Sequence, residues 1–471
     1  MTTPARGAPA LDGAFVRRAL AAQLRSVDGP PLAFTRAVID SRLAQPGDLF
    51  VALRGEHADG HEFAADALAR GAAGVLCERV PPGINVAVCF EVADALAALQ
   101  TLAVAWRDAL PALDVVGVTG NVGKSTTKLI TAAVLAQRYR TQAEPANYNN
   151  EIGVPLCLLA LRPDTERAVL ELGMYTTGEI ALLCRWTRPR IGVVLNVGPV
   201  HLERAGSLEA IARAKRELPE ALPADGVAVL NADDARVAAM APYTAARVCW
   251  FGSGVEAHVR GDDVESEGAR GFRFSLHYAG ATRRVAVPLP GRHLLSNVLA
   301  ALAVGLSDGV PLDEAVGAIE TLRIPTRLRV GSLPGGIMLL DDTYNASPVA
   351  TLGALELLAE TPGRHLALLG DMLELGELSA REHARVGRRA AELVDVLFTV
   401  GGLADGIAVA ARQGGLQDVH HYATKDEAAA ALRLALRPGD VLLVKGSRAL
   451  ALETVVAALA RDLAGPAEAG R

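Results

Sequence analysis

The sequence predicts an α/β protein of three domains, and three observations carry that expectation. At 471 residues the chain is too long for one ordinary core. Short apolar runs end in glycine or a polar turn and alternate with helix-like segments, the pattern of parallel sheets with crossover helices. The pattern comes twice: in VVGVTG, AVLELG, IGVVLNVG and GVAVLNADD, then in GIMLLDD, HLALLGD, VLFTVG and DVLLVKG. The expected domains are an N-terminal α/β unit (1–108), a central parallel-sheet unit built around a phosphate-type loop (109–323) and a C-terminal Rossmann-like unit (324–471).

Composition narrows the function classes. Apolar residues make up 51% and charged residues 21%, enough to bury several cores without staples. Net charge is −6, so there is no general affinity for nucleic acid or an anionic membrane, and an anionic ligand needs a local site. The five cysteines, Cys77, Cys89, Cys157, Cys184 and Cys249, show no C-x-x-C spacing and read as reduced thiols of a cytoplasmic protein. No uncharged apolar run is long enough to cross a bilayer, and the N-terminus has no signal-peptide core. Only five of the 47 basic residues are lysines: Lys124, Lys128, Lys215, Lys425 and Lys445. A lysine kept among so many arginines raises the question of amine chemistry, which arginine cannot do.

Taken in chain order, DLFVAL and GVLC read as strands and HEFAADALARGA as a helix ended by glycine. VVGVTGNVGKSTTK reads as a buried strand entering a glycine loop and then a helix. Its spacing is shorter than G-x-x-x-x-G-K-[ST], with Val118 where that pattern wants glycine. Backbone N–H groups there would face a phosphate, with Lys124 reaching the terminal phosphates and Ser125 or Thr126 holding Mg2+. In ELGMYTTGEI, Glu171 ends a strand and suits Mg2+, although such acids alone are more often solvated. LNVGPVHLERAGSLEAIARAKRE carries His201 after a strand and Lys215 in the following helix, where a lone lysine ordinarily faces solvent. Residues 250 to 290 alternate polar and apolar and read as a small antiparallel insertion. GRHLLSNVLAALAVG opens a helix with Asn297 near its start. RIPTRLRV and LLDDTYNASP place Arg327 and Asp342 at a domain junction, suited to nucleoside contacts or to turns. LVKGSR ends the last strand with Lys445, Ser447 and Arg448, a set that suits a carboxylate.

Together these stretches resemble the Mur ligases, ATP-dependent amide-forming enzymes of peptidoglycan precursor synthesis, whose own loop is the short T-G-x-x-G-K-[ST]-T. The likeness runs from about residue 35 to 455 and includes DSR, PGDLFVALRGEHADGHEF, NYNNEIGVP, GEI, DDTYNASP, GDMLELGELSAREH and VKGSR. NNEIGVP, DDTYNASP and GDMLELG resemble the dipeptide-adding branch, and the D-N-P-R of the diaminopimelate- or lysine-adding branch does not occur. The resemblance implies an enzyme that phosphorylates the terminal carboxylate of UDP-N-acetylmuramoyl-tripeptide with ATP. The amine of D-alanyl-D-alanine would then attack that acyl phosphate.

Position by position, the resemblance implies that Gly120, Asn121, Val122, Gly123, Lys124, Ser125 and Thr126 cradle ATP. Asn297, Arg327 and Asp342 would lie on the adenosine side. Ser125, Thr126, Glu171, His201 and Lys215 would hold two Mg2+ ions, Lys215 after CO2 converts it to a carbamate. Lys124, Glu171, His201 and Lys215 would be the catalytic set. Ser41 and Arg42 would bind the UDP-sugar, and Asn149, Asn150, Tyr344, Asn345, Lys445, Ser447 and Arg448 the substrates. A cytoplasmic monomer is implied. Three departures occur: Leu294 and Ser347 where the family has Asn, and Val122 in the loop. They keep open a non-catalytic nucleotide-binding paralogue, beside a folylpolyglutamate-type ligase and a plain phosphate-loop kinase.

Overall fold

A computed structural model describes residues 9–28, 32–55, 58–80, 88–143, 147–198 and 206–463. Three sheets organise them. The first unit has strands ordered Leu24–Asp28, Val88–Val92, Gly74–Cys77, Leu49–Val51 and Ala37–Val38, parallel except for the antiparallel first edge. Its helix Ala95–Asp108 packs on helix Gly153–Leu159 of the central unit, and Trp106 Nε1 donates to the Leu161 carbonyl at 3.0 Å. One apolar core runs through both units, from Leu99 and Trp106 to Leu156 and Leu170.

The central sheet places strand Asp114–Thr119 between Arg167–Glu171 and Ile191–Val194, all parallel. Successive residues point to opposite faces of a strand. Val115 therefore joins the core under helices Glu179–Thr187 and Leu208–Glu220, while Val116 and Val118 join the core under helices Lys124–Leu135 and Leu295–Ser307. The carboxyl ends of the three strands lie side by side, which sets Glu171 and Asn196 on either side of the glycine loop. Ligands of open α/β sheets bind at such ends.

The antiparallel run is present but is not set apart from the sheet. Arg247–Gly252 pairs parallel to Val227–Asn231, and Val259–Ser266 continues the sheet through Phe251 and Val259 before the antiparallel strands Phe272–Tyr278 and Ala281–Val287. Phe272, Phe274, Leu276 and Val285 share a core with helix Leu295–Ser307, so burial joins the hairpin to the main sheet.

The third sheet runs Arg329–Leu333, Ile337–Asp342, Asp440–Lys445, Arg364–Gly370, Val396–Val400 and Val419–Tyr422, parallel beyond the first pair. Its four predicted strands form as expected. Thr141–Ala143, Arg329–Leu333 and Val419–Tyr422, which the sequence pattern did not mark, are edge strands; edges bury too little to show a clear period.

Candidate active site

The loop after strand Asp114–Thr119 turns into helix Lys124–Leu135 through Gly123, whose φ is +89°. A side chain there would strain the backbone, and its Cβ would overlap Asn297 Nδ2. That Asn297 amide donates to the Gly123 carbonyl at 3.0 Å and to Thr127 Oγ1 at 2.8 Å, tying the loop to helix Leu295–Ser307. Gly123→Ala is expected to weaken ATP binding at least tenfold while the protein still folds, measured by calorimetric titration of a non-hydrolysed ATP analogue.

Lys124 Nζ folds back onto its own loop, donating to the carbonyls of Gly120 at 2.7 Å and Asn121 at 3.3 Å. Burial lowers the pKa of this amine, the Glu171 charge opposes that, and Arg327 adds to it. Glu171, 3% exposed, accepts from Ser125 Oγ at 2.7 Å and Asn149 Nδ2 at 2.8 Å. Burial alone would raise its carboxyl pKa. The charge of Lys124, both hydrogen bonds and the charge of Lys128 outweigh it, so the pKa lies below the usual carboxylate range.

Two spaces adjoin the glycine loop. A cleft lies between the central and third units; the loop, Ser125, Thr126, Asn297, Arg327, Asp342 and Asn345 line it. An inner cavity, lined wholly by the central unit, reaches Lys124 from the other side and contains Lys215, Asn149, Glu151 and Glu179. Lys215 occupies the apolar face of helix Leu208–Glu220, beside Ile211, Ala214 and Leu218, because the i, i+3, i+4, i+7 spacing puts them together. It is 2% exposed and makes no hydrogen bond among the described residues. Burial first, then the charge of Lys124, takes its amine well below the ordinary 10.5.

Comparison with known proteins fits this arrangement. Three family models match in order: "Mur ligase family, catalytic domain" over 34–103, "Mur ligase middle domain" over 118–305 and "Mur ligase, glutamate ligase domain" over 326–448. The chain is 39% identical over 468 residues to the UDP-N-acetylmuramoyl-tripeptide--D-alanyl-D-alanine ligase of Mycobacterium tuberculosis, covering 90% of this chain and 91% of that one. It belongs to the Mur ligase family. The structure also superposes on MurF from Acinetobacter baumannii with a TM-score of 0.84 at 30% identity, covering 96% of this chain and 99% of that one. The MurF ligase of Thermotoga maritima in complex with ADP gives 0.78 at 30% identity, covering 91% and 98%.

Within this Mur ligase, several predicted contact residues use their polar groups inside the chain. Asn150 Oδ1 accepts from Gly153 N at 2.9 Å, capping helix Gly153–Leu159. Ser447, 3% exposed, accepts from Leu373 N at 2.9 Å and so holds the GDM loop. Lys445 pairs with Asp342 and donates to the Asn345 carbonyl at 2.9 Å, so the carboxylate it meets belongs to the chain itself. Burial pushes the Asp342 carboxyl up and the Lys445 amine down, and their mutual contact opposes both shifts. Ser41 is buried, with its hydroxyl on Asp66, while exposed Arg42 pairs with Asp40 at 2.7 Å.

Tyr344 spans the junction of the two units. Its hydroxyl takes a hydrogen bond from Asn147, and the guanidinium groups of Arg327 and Arg448 lie 4.9 and 5.8 Å from its ring centre. Arg327 also reaches Ser125 Oγ at 3.4 Å. His201 lies outside the described residues. Asn196 was missed: its Oδ1 accepts from Asn121 N at 2.9 Å and Val122 N at 3.0 Å, and its Nδ2 donates to Val122 O at 3.0 Å. Its place just past a strand end, in the same segment as His201, was the available signal.

Proposed function

We propose that this chain is an ATP-dependent ligase that joins D-alanyl-D-alanine to UDP-N-acetylmuramoyl-tripeptide, releasing ADP and phosphate. The observation that carries it is the pair of spaces that adjoin the glycine loop, a cleft suited to the nucleotide and an inner cavity with Lys124 in its wall suited to the carboxylate that must meet the γ-phosphate. Identity of 39% to a dipeptide ligase over 90% of this chain supports the substrates. It disfavours the folylpolyglutamate-type and non-catalytic readings.

A carboxylate does not react with an amine in neutral water, so it must first be activated. The cleft would hold ATP with its phosphates on the loop amides and Lys124, and its adenosine toward Asn297, Arg327 and Asp342. The tripeptide carboxylate enters from the inner cavity and attacks the γ-phosphorus, forming an acyl phosphate as ADP leaves. Lys124 and the loop amides neutralise the charge that gathers when the two anions meet. The dipeptide amine, having lost its proton, attacks the acyl carbon, and phosphate departs. Tyr344 and Arg448, at the junction, would receive the dipeptide and exclude water.

Mg2+ fits the residues present. An ionised, buried Glu171 beside the Ser125 hydroxyl supplies one carboxylate and one neutral oxygen, the sparse set Mg2+ takes when phosphates and water complete its shell. Thr126 would be the neighbouring hydroxyl, and bound Mg2+ would draw charge from the phosphate oxygens. Lys215 fits a carbamate for a different reason: burial makes its amine easier to deprotonate, and only the uncharged amine can attack CO2, forming an N–C bond and losing a proton. With His201 it would serve a second Mg2+.

We place the unit limits at 1–108, 109–323 and 324–471, for UDP-sugar with Ser41 and Arg42, for ATP, and for dipeptide plus adenosine-side contacts. The five cysteines are thiols rather than disulfides, which supports a cytoplasmic setting, and we take the enzyme as a monomer. The test is mass spectrometry of the products from UDP-N-acetylmuramoyl-tripeptides ending in lysine or diaminopimelate, with ATP and D-alanyl-D-alanine. A new amide with one ADP per product is expected. Phosphoryl transfer without an amide would make it a kinase, and ATP binding without turnover a scaffold.

A further inference from the structure

The inner cavity holds one anion that the proposed chemistry does not use. Glu151 lines it, is exposed, and its carboxylate makes no hydrogen bond or ion pair among the described residues. Only its backbone carbonyl is engaged, accepting from Gln100 Nε2 at 3.1 Å. Glu179, the other acid of the cavity, accepts from the Tyr175 and Thr176 amides and from Thr176 Oγ1, so it serves its own loop. Met174, Leu182 and Leu183 give the same cavity an apolar part.

The inference rests on the proposed ligase reading, which puts the tripeptide's terminal carboxylate at Lys124. The α-carbon of the third residue is bonded to that carboxyl carbon, so the third side chain must start inside the same cavity. That apolar part suits methylene groups, and a carboxylate in the same lining, without a partner among the described residues, suits a positive end. Lys215, buried and without a hydrogen bond among the described residues, marks the same space as a ligand site rather than a solvent dimple. The third unit, where the dipeptide is expected, contributes no lining residue among those described, which argues against the dipeptide amine as the partner.

We propose that Glu151 binds the side-chain ammonium of the tripeptide's third residue and so selects a basic amino acid there. Glu151 touches no reacting atom and acts on affinity and specificity alone.

The test compares UDP-N-acetylmuramoyl-tripeptides ending in lysine and in its uncharged isostere norleucine, on the full-length protein with ATP, Mg2+ and D-alanyl-D-alanine. For the parent protein, KM is expected about fivefold lower for the lysine substrate, the size of one partly exposed ion pair. Glu151→Gln should raise the lysine KM to the norleucine level, leave the norleucine KM unchanged, and leave the KM for D-alanyl-D-alanine unchanged. Equal lysine and norleucine KM values in the parent would overturn the proposal, as would an equal rise for both in the variant. A shift confined to the dipeptide KM would also overturn it and assign Glu151 to the incoming amine. No amide from either tripeptide would instead remove the ligase reading on which the proposal stands.

Discussion

Replacing Lys124 with alanine is expected to lower kcat about a thousandfold, with a much smaller change in the KM for ATP. The side chain is short of solvent, and its ammonium faces Gly120 and Asn121 carbonyls that a phosphate would compete with. In such a site a single positive donor acts on charge that develops only as the carboxylate and γ-phosphate approach. Lys124→Arg should fail almost as fully, because the planar guanidinium is larger than the space beside Gly120 and keeps a different donor geometry. Steady-state phosphate release with all three substrates is the measurement, with thermal melting as the control for folding. A variant retaining a tenth of parental kcat would remove Lys124 from the proposed role.

Lys215→Ala is expected to lose about a hundredfold or more in kcat, and the parent should depend on dissolved CO2. Degassed parental enzyme should lose activity and regain it when bicarbonate is added, whereas the alanine variant should not respond. Full activity in Lys215→Ala, or a parent indifferent to CO2, would reject the carbamate. The same residue makes a second, independent prediction about stability. Its amine holds a proton less firmly in the folded state than in the unfolded chain, which keeps its proton until pH approaches the ordinary 10.5. Between the depressed folded pKa and that value the unfolded state binds the extra proton, so stability rises with pH across the window. Lys215→Met, with CO2 excluded, should therefore be more stable than the parent near neutral pH by about 1–2 kcal/mol. The gain should shrink in alkaline buffer; urea midpoints at the two conditions check it.

Three of the five lysines are almost wholly buried: Lys128 at 1%, Lys215 at 2% and Lys445 at 2%. Scarcity did not distinguish their tasks. Lys445 closes an internal ion pair with Asp342, while Lys215 sits on an apolar helix face without a partner among the described residues. Asn150 and Ser447 show a similar limit. Both sit in motifs that suggest ligand contact, yet one caps a helix and the other braces a loop. A short polar side chain serves either purpose, and the choice depends on which N–H groups the fold leaves unpaired nearby.

By itself the sequence determined the class of fold, the order of the three units and the phosphate-type loop. Those are local properties: periodicity over a few residues, glycine where φ must be positive, and an amine directly after it. The tertiary structure alone decided which distant groups meet. Glu171 and Asn196 flank the loop because their strands lie on either side of Asp114–Thr119, an order that does not follow the chain. Helix packing turned Lys215 inward, and the junction of two units made the cleft that Tyr344 bridges. Strand order and helix packing are set by burial summed over whole faces, which no short stretch of residues contains.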